Sequence, residues 1–168
     1  MKVWDGCVRT VHWSVAVLVL ANMYNNSSGS WHRYAGYAAA TLILARLAWG
    51  WLGTGHARFS SWPPLRGVPD YARALWRGRP PRHVGHNPLG VVMIAALWSL
   101  VLALGVTGWM TRLDAYWGEE WLENFHERLA DVLLGCVVLH VVAVIVMSVL
   151  LRESLVRGMI TGHKRRPD

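Results

Sequence analysis

Histidines set into apolar sequence are the residues here whose type and spacing could do chemistry. The segment ENFHERLADVLLGCVVLHVVAVIVMSVLLRE, residues 123–153, carries His126 near its start and His140 deep inside it. In an α-helix fourteen residues rise about 21 Å and return to within about 40° of the same direction. The two imidazoles therefore project from one face at two depths. Titratable groups within a bilayer cost several kcal/mol, turn toward a bundle interior, and by default mark function. WHRYAGY opens a second apolar run and puts His32 at the depth of His126. RTVHW opens the first run and puts His12 near the depth of His140. Each level thus holds two histidines from two different helices.

Neutral imidazole is a good iron ligand, and two imidazoles facing each other in a bundle can clamp a flat porphyrin. Two noncovalent bis-histidine haems b, one above the other, are the simplest use of the pattern. His12 and His140 would hold the inner iron, and His32 and His126 the outer one. Gly36 lies one turn past His32 and Ala130 one turn past His126, leaving room for a ring beside each ligand. Arg46 follows His32 by fourteen residues, so it falls at the inner level and calls for a buried anion such as a haem propionate. Arg9 and Arg33, each close to a ligand at the membrane edge, are further candidates for that role. Competing readings exist for each: interhelical hydrogen bonding for a single histidine, snorkelling for Arg46, ordinary helix packing for Gly36. Trp13 and Trp31 are read as interfacial anchors.

The elements that must position these residues follow from composition. Of 168 residues 54% are hydrophobic and 16% charged, with 11 tryptophans, where a soluble domain is about a quarter charged. Apolar runs cover 8–24, 34–52, 88–110 and 129–151, the last helix expected to start near 127. A bilayer core of about 30 Å takes about 20 helical residues, and interfacial residues complete the short first run. The expected fold is an all-α membrane protein, one domain over 1–168: a four-transmembrane-helix bundle with a loop at 53–87. The first run is too short and lacks the small-residue site of a cleaved signal.

The net charge of +7 is distributed as topology. Arg58, Arg66, Arg73, Arg77, Arg79 and Arg82 face Asp70 alone in the long loop. Lys2 and Arg9 lie near the start, and Arg152, Arg157, Lys164, Arg165 and Arg166 in the tail. The connection after 110 carries Asp114, Glu119, Glu120 and Glu123 against Arg112. Lys and Arg mark the cytoplasmic side of a membrane, so both termini and the loop are expected there, against anionic lipid headgroups. The same distribution argues against nucleic acid as a partner. Cys7 and Cys136 lie at different depths, no CxxCH occurs, and HERLA lacks the second histidine of a zinc-protease helix. Residues 70–75 are read as a short interfacial helix, and His56, His83, His86 and His163 as surface residues.

VWDGCVRTVHW, WHRYAGY, TGW at 107–109, WLENFHERLADVLLGCVVLH and RESLVRGMITGHKR together resemble the bacterial cytochrome b561 superfamily, over nearly the whole chain. Its members include cytochrome b subunits of nickel–iron hydrogenases and small free-standing dihaem cytochromes b. The resemblance implies a four-helix bundle with two haems b, passing electrons between membrane quinone and a partner at the outer surface. His12, His32, His126 and His140 match the family's ligand positions. The NNSSGS turn is short, and the longer connections of the hydrogenase subunits are not seen. That difference favours a free-standing cytochrome or one serving a c-type cytochrome.

The expected activity is electron transfer by a b-type cytochrome, with quinone-linked oxidoreductase action left open. The acidic outer connection would suit a basic partner such as a cytochrome c. Asn22, Tyr24, Trp109 and Glu127 could line a quinol site. Two readings of other classes stay open: a non-haem transporter or metal-ion carrier, and a membrane anchor for a periplasmic oxidoreductase. Association into a homodimer is left open too.

Overall fold

Why each helix starts where it does can be read from its first turn. The structure, a computed structural model, describes residues 1–25 and 29–165. The middle of the NNSSGS turn and Arg166 in the tail lie outside the described residues. Helix α1 (Gly6–Tyr24) is capped by Asp5, whose Oδ1 accepts from the Val8 amide at 2.8 Å, satisfying one of the donors that a helix start leaves unpaired. Helix α2 (Ser30–Leu52) begins ahead of its apolar run, so His32 sits in its first turn. A short α3 (Val68–Trp76) lies in the long loop. Helix α4 (Pro88–Met110) has Asn87 as cap, accepting from Gly90 at 2.7 Å, and Pro88 in its first turn, where proline's fixed φ suits a helix start.

Helix α5 runs Glu120–Leu150, a start seven residues ahead of the expected 127. Glu120 and Glu123 in its first turn complement the helix dipole, which lets the polar stretch before His126 stay helical. His126 is thereby held in the second turn rather than at the end. A final α6 (Leu155–Thr161), absent from the sequence expectation, is capped by Ser154 and closed by Gly162 at φ 80°.

The described residues form no extended strand, and the architecture is helical. Among them α1, α4 and α5 are long and apolar enough to cross a membrane. Helix α2 equals α4 in length but is interrupted by His32, Arg33 and Arg46. Helix α2 packs on α1 and α4, and α4 on α5. One apolar cluster sits between them: Ala39 and Ile43 of α2, Val101 of α4 and Leu133 of α5. Helix α5 packs mainly on α4, and its Leu133 joins α2 residues in that cluster.

At one end of the bundle the termini and the loop 53–87 build a lobe. Val3 and Trp4 donate to the Gly162 carbonyl at 2.8 and 3.1 Å, and the Lys164 amide donates to Met1 at 3.0 Å. Val3, Trp4, Val8 and Ala57 form its core, with Trp49, Val84 and Met159 against them. Arg82 reaches Glu153 at 3.2 Å, and Lys164 Nζ donates to Val84 at 3.0 Å. Residues 1–4 and 162–165 therefore lie together beside the long loop.

Candidate functional site

Four half-buried imidazoles face one another in two pairs. His12 of α1 and His140 of α5 have ring centroids 6.4 Å apart; His32 of α2 and His126 of α5 have theirs 6.3 Å apart. These are the two pairs that the fourteen-residue spacing suggests. An imidazole nitrogen sits about 2.0–2.1 Å from a bound divalent metal, and roughly 1.1 Å separates it from its ring centre. Two rings on opposite sides of one metal would therefore have their centroids about 6.3 Å apart. No group of three or more His, Cys, Asp or Glu side chains able to hold a metal ion occurs among the described residues. A donor set of two imidazoles per level would leave the remaining positions of an iron to a macrocycle such as a porphyrin.

The surroundings agree with that donor set. Nδ1 of His12 and of His32 is buried without a hydrogen-bond partner. Nδ1 of His126 lies 2.7 Å from Thr107 Oγ1 of α4. A Cβ built on Gly36 would meet nothing nearer than Asn22 Nδ2 at 3.6 Å. Asn22 itself donates to the His32 carbonyl at 3.0 Å, fixing the start of α2 against the end of α1.

The three arginines separate. Arg46 is 3% exposed; Nη2 donates to the Ala57 carbonyl at 3.1 Å, and Nη1 is buried with no partner. Its guanidinium also lies 5.5 Å from the Trp98 ring. A buried, half-satisfied guanidinium is a strong anion seat. Arg9 instead donates to the Ile160 carbonyl of the lobe. Arg33 stacks over its neighbour Tyr34 at 4.9 Å. Trp13 is set edge-on to His12 at 5.1 Å, and Trp31 is exposed.

One residue departs from its sequence assignment. His86 is not a surface residue: its ring lies between Trp4 at 4.7 Å and Trp62 at 5.0 Å. Burial above all, then Arg46, Lys164 and His56, pushes its pKa down to about 3. The signal that was available is the aromatic content of both segments it touches, yet their meeting depends on the whole loop. Thr107 and Gly108 are also missed as site residues. They could have been found by depth, since α4 ends at Met110 on the side where α5 begins.

The sequence pattern of the family described as Prokaryotic cytochrome b561 matches residues 3–162. The chain belongs to that family. Its similar proteins include sequences named probable Ni/Fe-hydrogenase B-type cytochrome subunit. One from Cupriavidus necator is 24% identical over 99% of this chain and 87% of its own length. One from Bradyrhizobium diazoefficiens is 22% identical over 99% and 86%, and one from Azotobacter vinelandii 24% over 82% and 70%. No solved structure matches the chain. This cytochrome b561 family member is a multi-pass membrane b-type cytochrome of electron transport.

Proposed function

We propose that this chain is a dihaem cytochrome that passes electrons between the quinone pool and a redox protein at the periplasmic surface. The observation that carries the reading is the pair of imidazole pairs at 6.3 and 6.4 Å. His12 and His140 would ligate the inner haem b and His32 and His126 the outer one, and α2 would be the fourth crossing. Each haem supplies a one-electron couple. Two imidazoles holding each iron would suit electron relay rather than oxygen binding.

The chain's own residues set the conditions. Arg46, buried and with Nη1 to spare, would hold a propionate and favour the form with one more electron, raising the inner potential. Arg9, whose Nε is buried without a partner, and Arg33 would be further propionate seats. At the far end Asp114, Glu119, Glu120 and Glu123 are exposed and would offer a docking surface to a partner with exposed lysines, such as a c-type cytochrome. The positive lobe would face the cytoplasm of a bacterial inner membrane. The similar proteins are named as hydrogenase subunits, so a hydrogenase is the second partner to assay. Quinone-linked oxidoreductase activity would follow if quinol is the reductant.

The test is haem quantified against protein by pyridine haemochrome, with a reduced-minus-oxidised spectrum. Two haems b per chain are expected. His12→Ala or His140→Ala should remove one, and His32→Ala or His126→Ala the other. A colourless but folded protein would sink the reading and revive the transporter, metal-carrier or anchor alternatives.

A further inference from the structure

Thr107 stands in the last turn but one of α4 and is buried at 6% exposure. Its hydroxyl donates to the Ala103 carbonyl one turn back at 2.9 Å, with Leu104 O at 3.3 Å. A hydroxyl has one proton and two lone pairs. With the proton directed at Ala103, the oxygen facing His126 Nδ1 at 2.7 Å is an acceptor. The ring must then carry its proton on Nδ1, which leaves Nε2 with a free lone pair. The next residue, Gly108, lies under the same ring: a Cβ there would come within 3.3 Å of His126 Cε1 and 3.8 Å of Nδ1. That is tighter than most real Cβ contacts, so an alanine would push the ring by a few tenths of an ångström.

We propose that Thr107 and Gly108 form a seat on α4 that fixes the tautomer and the position of His126 and presents its Nε2 as the outer ligand. Thr107 is a positioning residue, and the inference rests on the bis-histidine reading above. Nδ1 of His12 and of His32 is buried without such a partner, whereas the ring of His126 is held from a third helix, α4. An acceptor on Nδ1–H also makes the opposite nitrogen more basic, which favours ferric over ferrous iron. Losing it should raise the outer potential and leave the inner one unchanged.

The experiment uses the full chain in detergent: wild type, Thr107→Val, Thr107→Ser, Gly108→Ala and His126→Ala. Three readouts are taken: haem per protein after gel filtration, a potentiometric titration resolving two components, and the low-spin ferric EPR signals. Loss of such an outer-shell partner typically weakens metal binding about 10–100-fold. Thr107→Val should therefore shed one haem preferentially. Each tenfold loss of ferric over ferrous affinity raises the potential of the remaining one by about 59 mV. Thr107→Ser keeps the acceptor and should behave as wild type. Gly108→Ala should alter the same component's EPR signal and not the other's. If Thr107→Val matches wild type while His126→Ala loses one haem, the seat is refuted and the ligand assignment stands. A Thr107→Ser protein as perturbed as Thr107→Val also refutes it. If His126→Ala keeps both haems, the bis-histidine reading itself has failed. Should Thr107→Val not fold, Gly108→Ala decides, and an unchanged outer component overturns the inference.

Discussion

Gly50 near the inner end of α2 has no room for a side chain, and the consequence should reach the inner histidine level. A Cβ there would lie 2.2, 2.3 and 2.6 Å from three atoms of the Phe59 ring. Ordinary van der Waals contact begins at about 3.4 Å, so in Gly50→Ala the ring must retreat by about 1.2 Å. An isolated phenylalanine would do this cheaply. Phe59 is caged, with Trp62 at 4.9 Å, Trp51 at 5.5 Å and Trp98 at 6.5 Å between ring centroids. Overpacking of this sort costs about 1–3 kcal/mol, and about 2–4 °C of Tm follows each kcal/mol in a domain of this size. A fall of roughly 2–12 °C is expected in thermal unfolding in detergent, with the low end reached only if the exposed Trp51 yields first. Trp98 also carries Arg46 against its face at 5.5 Å. The spectrum and potential of the haem proposed at the inner level should therefore shift while the outer component stays put. A Gly50→Ala protein with unchanged Tm and both components unaltered would refute the cage.

Other outcomes follow from single contacts. Asp5 accepts from Val8 at 2.8 Å and, through its other oxygen, from Trp49 Nε1 at 2.9 Å, tying α1 to α2. Asp5→Ala should cost about 1–3 kcal/mol, and Asp5→Asn, with one acceptor oxygen, clearly less; equal losses in thermal unfolding would contradict this. His86, with its pKa pushed down to about 3, binds fewer protons folded than unfolded between pH 6.5 and 3. Its contribution is complete above pH 6.5 and lost as pH falls through that window. Tryptophan fluorescence should report acid loosening of the lobe, and His86→Phe should flatten that pH dependence. Gly162, at φ 80° and with a would-be Cβ 2.7 Å from the Trp4 carbonyl, should not accept alanine. The left-handed backbone alone costs about 1–2 kcal/mol, and faster proteolysis of the N-terminal residues is the expected readout.

The sequence showed one level of this design well and another poorly, for physical reasons. The pairing of His12 with His140 and of His32 with His126 was legible because helical rise and rotation are fixed by the backbone. Depth is counted from the ends of apolar runs, and depth is all the pairing needs. The start of α5 was misjudged because hydropathy ends at 127, whereas Glu120 and Glu123 stabilise a polar first turn by charge. Arg46 was legible as a charged residue set into an apolar helix, but its hold on the Ala57 carbonyl depends on a loop fold that no local pattern encodes. The same holds for His86, whose tryptophan neighbours come from residue 4 and residue 62. Local periodicity reaches the bundle; the lobe is made of contacts between segments distant in the chain.

The difference between the two levels has a functional sense in the proposed reading. Helix α5 supplies a histidine to both and packs mainly on α4, and the two levels have different neighbours to hold their geometry. At the outer level α4 reaches its last turns beside His126, so a hydroxyl at Thr107 and a bare backbone at Gly108 can set the ring directly. At the inner level the lobe takes over. Residues 57–62, Trp4 and the tail at 162–164 close over the inner ends of α1 and α2 and bury Arg46. The outer level would then be governed by ligand basicity and the inner by a buried cation, which move potentials in opposite directions. An outer site of lower potential and an inner one of higher potential is the ordering this asymmetry predicts. Thr107→Val should raise the outer potential and Arg46→Leu lower the inner, so that each narrows the gap. If either widened it, the ordering argument would fail even with every ligand in place.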